Sequence, residues 1–365
     1  MTAHRHGWRF RAAAVAALVA LGSAAARAEA PVGDGWIEAV LSVRDLQRSE
    51  RFYTSIGGWE RLAEGELSGE ERAQWALPPG ERARWILLRE PRARRGHVRL
   101  VEYAGRAGLQ PLRAHARTWE PGGFAGLNVR IRAFDALLPR VLAEGWQAHS
   151  APVAFRLQQF TVVESMLVDE NGVTLTPIER RDPPLAGWTL GDGLSRPFNA
   201  FVVVTDFAAA RRFYVDGLGF ASVRRQSGPL GPAGPNIFGL PYDLVPTVGR
   251  RLEWFHPRGG AASEGTVAVM AFDNLRGAEH ARGATPHALG LVALRLPVED
   301  VYAVARRLAG AGFGHAAPRA LDLAPYGRVC LLSVVAPGGE WWDIYSRAAP
   351  SAGGRERDDS PGQRC

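Results

Sequence analysis

The sequence predicts an α+β protein built from tandem βαβββ modules, arranged as two domains, each of two curved mixed sheets around a cavity. Three observations carry that expectation. A strand–Asp–helix–Phe-Tyr unit occurs twice at a fixed offset, a looser strand–Asp–helix–Gly-aromatic unit follows each copy, and 365 residues suffice for two domains with cores of their own at ~100–200 residues per domain.

In the tighter repeat, Val40-Leu-Ser-Val-Arg-Asp45-Leu runs into Arg51-Phe52-Tyr53 and Gly58-Trp59, while Phe201-Val-Val-Val-Thr-Asp206-Phe runs into Arg212-Phe213-Tyr214 and Gly219-Phe220. The offset is 206 − 45 = 161 residues. Each copy reads as an apolar strand ending at an Asp that caps the next helix. Phe52 or Phe213 lies on the helix's inward face, and a Gly stops the helix before an aromatic opens the next strand.

The looser pair is Leu127–Ile131, leading through Asp135 to Gly145-Trp146, and Leu291–Leu296, leading through Asp300 to Gly312-Phe313. Each ends in a turn and strand, Asp169–Thr176 and Ala336–Asp343. The expected layout is therefore a first domain at 34–181 (modules 34–105 and 122–181), a Gly/Pro-rich linker at 182–197, and a second domain at 198–347 (modules 198–257 and 287–347). The irregular stretch 226–246, punctuated by Gly-Pro and Pro-Gly, has the length of a lid or binding loop.

Composition narrows the function classes. The 46% hydrophobic and 22% charged residues are those of a globular protein. The net charge is +7 and every basic residue is arginine, but the arginines are interleaved with Asp and Glu, so no basic stripe for nucleic acid is expected. At the N-terminus, His4, His6, Arg9 and Arg11 precede an apolar run from Ala12 to Leu21 and small residues up to Ala30. That pattern is a signal peptide over 1–30, which predicts a periplasmic or secreted protein with no membrane span after cleavage. Cys330 is expected to be a buried, inert thiol in an apolar strand, although spacing alone leaves a pairing with Cys365 open. The tail at 348–365 is polar and is expected to be disordered.

These residues together resemble the vicinal oxygen chelate superfamily of glyoxalases, bleomycin-resistance proteins and extradiol dioxygenases. The resemblance rests on Val43-Arg-Asp45-Leu and Val204-Thr-Asp206-Phe, on both Phe-Tyr pairs, and on the Gly turns before Thr176 and Asp343. It implies sheets that curl around a cavity. It also implies, in the family's enzymes, a divalent metal held from the first and last strands of each module, often by His and Glu. In this sequence those positions fall on Glu38 and Arg99, on Asn128 and Thr176, on Asn199 and Glu253, and on Leu291 (or Ala293) and Asp343. A guanidinium cannot ligate a metal, and no His stands at a matched position. His97, His256 and His287 read as structural or solvated residues.

The resemblance therefore implies an exported binding protein that holds a small apolar or aromatic molecule between its sheets. No cofactor or metal is expected, the first half is expected to be a degenerate copy, and the state is expected to be monomer or homodimer. Some of the eleven tryptophans, such as Trp75, Trp85, Trp254, Trp341 and Trp342, are candidates to line the site. The alternative is a metal-dependent lyase, isomerase or dioxygenase with an all-oxygen site of Glu253, Asp343 and Asn199, suited to Mg, Mn or Ca. A purely structural or interaction domain is a third reading.

Overall fold

A computed structural model describes residues 33–348 and Cys365, apart from 92, 106–107, 158, 187, 189, 259–263, 276 and 284. The expected signal peptide, and the tail except for its two ends, lie outside these residues. Four modules follow one another. The first holds β1 (Glu38–Ser42), α1 (Leu46–Arg51), β2 (Glu60–Glu66), α2 (Gly69–Gln74), β3 (Ala83–Arg89) and β4 (His97–Tyr103). The second holds β5 (Phe124–Ile131), α3 (Phe134–Ala143), β6 (Gln147–Ala148), β7 (Val153–Leu157), β8 (Phe160–Glu164), β9 (Leu167–Val168) and β10 (Thr174–Asp182). The third holds β11 (Asn199–Val203), α4 (Phe207–Arg212), β12 (Ala221–Pro229), β13 (Gly249–His256) and β14 (Thr266–Asp273). The fourth holds β15 (Gly290–Pro297), α5 (Val301–Gly310), β16 (Arg319–Leu323), β17 (Gly327–Val335) and β18 (Trp341–Arg347).

The repeat is visible in its capping chemistry. Asp45 accepts from the backbone N–H of Arg48, and Asp206 accepts from that of Ala209, each at 2.9 Å. Both helices then widen into a π turn, Phe52–Ile56 and Phe213–Gly217, which buries the Phe-Tyr pair. Asp300 caps α5 in the same way. Asp135 instead lies inside the first turn of α3, where Glu179 from β10 accepts the Phe134 N–H at 2.9 Å.

The modules pair crosswise. The first sheet runs β16-β17-β18-β15-β1-β4-β3-β2 and joins modules one and four; the second runs β12-β13-β14-β11-β5-β10-β8-β7, with β6 and β9 beside it, and joins modules two and three. The seams are antiparallel, β1 with β15 and β5 with β11. The expected grouping of module one with two and of three with four is therefore not the grouping of the sheets. The first strand of each module needs an antiparallel partner for its open ladder edge, and each finds one in a module outside its expected domain.

The third module also ends later than expected, at Asp273 and not at 257, because β14 and not β13 is its last strand. The convex faces of both sheets and the helices share the largest core, which includes Leu41, Leu100, Leu127, Val202, Phe213 and Trp342. Cys330 is buried on β17 as expected, but it is not a free thiol. It is joined to Cys365 in a disulfide with a Cα–Cα separation of 5.7 Å.

Candidate functional site

The concave faces of the two sheets have opposite characters. On the first sheet, register brings the module positions side by side: Glu38 stands opposite Arg295, Arg295 opposite Asp343, and Val40 opposite Arg99. Glu38, Arg99, Arg295 and Asp343 are at most 1% exposed. Arg99 donates to Glu38 from Nε at 2.6 Å and from Nη2 at 3.2 Å, and Arg295 donates to it from Nη1 at 2.9 Å. The Tyr326 hydroxyl adds a bond of 2.7 Å to the same carboxylate.

Helix α2 plugs this face. Glu71 closes a capping box with Ser68 and also accepts from Arg295 at 3.3 Å. From the C-cap of the same helix, the Trp75 indole donates to Asp343 at 2.9 Å. Asp343 further accepts from Ser333 at 2.7 Å and Trp341 at 3.1 Å. Burial raises the Glu38 carboxyl, but Arg99 and Arg295 outweigh it and hold the group down at about 2. Burial opposes the charge on Arg295, yet the carboxylates of Glu38, Glu71 and Asp343 outweigh it and hold the guanidinium protonated well above the usual arginine range. This face is a closed ion network.

The second sheet instead curls over a cavity of roughly 700 Å³. Thr266, Asn199, Asn128 and Thr176 form one row across its floor, each the register partner of the next. They occupy the places that Glu38, Arg295 and Asp343 and their neighbours hold on the first sheet; Glu38 and Asn199 differ by the repeat offset, 199 − 38 = 161. Phe155, Phe160, Trp188, Phe198, Phe201 and Trp254 supply aromatic walls, and Ile237 and Phe238 close one side from the 226–246 loop. That loop is held there by Thr118, whose hydroxyl donates to the Phe238 carbonyl at 2.7 Å. Gly239 turns it at φ 67°, where a Cβ would stand 2.5 Å from the His149 carbonyl oxygen.

Four arginines, Arg130, Arg180, Arg224 and Arg250, also reach this cavity. Sequence reasoning passed over them because no module position marks them; the available signal was alternation, since each shares a strand face with a cavity residue two positions away. Glu164 is the one carboxylate in the lining. Burial raises it to about 7, against the pull of Arg130 and Arg250.

The expected site residues therefore separate. Asn128, Thr176 and Asn199 line the cavity of the second sheet, while Glu38, Arg99 and Asp343 belong to the closed network of the first. Glu253 lines neither the cavity nor the closed network. Its strand neighbours Leu252 and Trp254 point into the cavity of the second sheet, so Glu253 points the other way, 0% exposed, where Arg225 holds it at 2.8 Å and Arg211 at 3.4 Å. Leu291 is also displaced: a bulge at Val292 shifts the register between Ala293 and Leu291, and Leu291 packs into the convex core. Arg295 is the residue that holds its intended place.

The all-oxygen set of Glu253, Asp343 and Asn199 is thus dispersed over three separate places and cannot converge on an ion. The donor sets that do converge fit a cation poorly. On the first sheet two guanidiniums stand between the carboxylates, and on the second the row is neutral amides and hydroxyls with arginines above it. Among the described residues no three His, Cys, Asp or Glu side chains form a cluster able to hold a metal. His97 and His256 are buried, and burial lowers both; His287 stacks edge-on to Tyr103 beside Glu81.

Two curled mixed sheets built from βαβββ modules, with one site position per module on the concave face, define the vicinal oxygen chelate fold. Residues 196–327 match the family profile described as Glyoxalase/Bleomycin resistance protein/Dioxygenase superfamily. Glyoxalase I from Zea mays is similar in structure over 86% of this chain and 92% of its own, with a TM-score of 0.55 at 16% identity. A putative dioxygenase from Bacillus subtilis is similar over 88% of this chain and 87% of its own, with a TM-score of 0.52 at 13% identity. No curated protein matches the sequence.

Proposed function

We propose that the protein is a ligand-binding member of the superfamily that takes up a small aromatic or apolar molecule in the cavity over its second sheet. The carrying observation is the contrast between the faces: one is filled by a plugging helix and an ion network, while the other keeps an aromatic-walled space of ligand size over a neutral polar row. The first sheet then acts as a scaffold. An exported location accompanies this reading, supported by the signal-peptide pattern and by the Cys330–Cys365 disulfide, a bond typical of oxidising compartments.

Trp188 and Trp254 line the cavity and report on it. Titration with 2-naphthoate and 2-naphthamide is expected to quench tryptophan fluorescence with one site per chain. Ala268, 3% exposed on the cavity floor, offers the control: Ala268→Trp fills the space and is expected to weaken binding tenfold or more, roughly what losing one buried aromatic contact costs. Equal binding by the filled variant, or no binding of either compound, would sink the reading.

A further inference from the structure

We infer that the ligand of this cavity is an organic acid, a flat apolar body carrying a carboxylate that the cavity arginines bind. The inference rests on the binding reading and adds the ligand's charge. Each of the four arginines lies over an aromatic ring: Arg180 is 3.8 Å from the centroid of Phe160, Arg130 is 4.3 Å from Phe198, Arg224 is 5.0 Å from Trp254, and Arg250 is 6.0 Å from Phe238. Stacking orients a guanidinium and leaves its N–H edge free for an acceptor.

That edge is unmet. Among the described residues no carboxylate lies within 4 Å of any of the four, whereas Arg99, Arg196, Arg225 and Arg295 all sit in ion pairs. Arg130 Nε, Arg180 Nε and Arg224 Nη2 are buried and donate to nothing, as does Asn199 Nδ2 on the floor between them. The unsatisfied demand is almost entirely for acceptors, which is the complement of an oxyanion. Burial pulls Arg130 down to about 10 and lowers Arg224 and Arg250 as well, so the cavity lining carries desolvated positive charge that an anion would offset.

Placement favours shared recognition. Arg130 on β5 is the register partner of Ile178 on β10, so Arg180 stands one strand over and two residues along, roughly 8 Å away at Cα. Two side chains of that length can converge on one carboxylate, each through paired N–H groups. Arg224 and Arg250 come from β12 and β13 in the opposite half of the curled sheet. A cationic ligand would leave all of these donors unpaired, and a neutral carbonyl would meet them without the charge-assisted strength of a carboxylate.

The test compares three naphthalenes of one shape on the intact protein: 2-naphthoate, 2-naphthamide and 2-(aminomethyl)naphthalene. The acid is expected to bind at least about tenfold more tightly than the amide, and the ammonium compound more weakly than either; a single charge-assisted hydrogen bond is enough for a tenfold preference. Arg130→Gln and Arg180→Gln should each bring the acid-to-amide ratio toward one. The comparison among ligands holds even if a variant folds poorly, because it is made on the unsubstituted chain. If the amide matches the acid, or the ratio survives both substitutions, the charge inference is overturned while the binding reading stands. If none of the three binds, both fall.

Discussion

Glu340 and Glu38 are carboxyls buried to 1% and 0% exposure, and their surroundings drive them in opposite directions. Burial raises Glu340 to about 7, whereas two guanidiniums bring Glu38 down to about 2. For Glu340 the folded state holds a proton that the unfolded chain has released above pH 4.5, so its contribution is complete below that value and lost as pH rises through 7. Glu164 acts in the same sense. Glu38 contributes above pH 4.5 and loses its contribution as pH falls through 2. Replacing Glu340 with Gln is expected to raise the melting temperature at pH 8 and to change it little at pH 5, a difference on the order of 2–3 kcal/mol. Equal shifts at both pH values in a thermal melt would show that Glu340 is not held protonated. Counting from the Asp of each repeat finds Glu38, Asn128 and Asn199, because strand side chains alternate strictly. The same counting misses Arg295, since Asp300 caps its helix 300 − 295 = 5 residues after it, whereas 45 − 38 = 7 and 206 − 199 = 7 separate Glu38 and Asn199 from their caps.

At the scale of single elements, helix starts are the most readable feature. Asp206→Ala removes the acceptor for the Ala209 N–H and is expected to cost about 1 kcal/mol, seen as a lower denaturant midpoint with an unchanged slope. No change in midpoint would show that water caps α4 equally well. Strand ends are harder to read. Thr266–Asp273 is buried on both faces for most of its length, so it has no polar alternation to mark it as a strand, and the last visible alternation in that module belongs to β13. Reading β13 as the last strand put Glu253 on the wrong face. Helix α2 carries no repeat signal at all, because the matching segment of module three, between β12 and β13, is an irregular loop with a single 3-10 turn at Val245–Thr247.

For the whole molecule, the repeat shows how many modules there are but not which ones pair. Every module offers the same kind of open first strand, and sequence similarity cannot distinguish a neighbour's edge from a distant one. The crossed pairing makes a definite prediction. Asp182, Pro183 and Pro184 are exposed between modules two and three, and cleavage there would leave each fragment holding half of both sheets. The nicked protein should therefore elute from size exclusion as one particle in native buffer and fall apart only in denaturant. Two separate folded halves in native buffer would refute the arrangement.

The link between β1 and β15 also governs how the chain is made. The Glu38–Arg295 contact spans 257 residues, whereas β11 finds β5 within a much shorter loop. As the chain emerges N-terminus first, the second sheet can close while β1 still lacks its neighbour, so for most of synthesis the earliest described strand is an open, sticky edge. Pairs so distant in sequence close slowly, which leaves the sheet of module one the last to be completed.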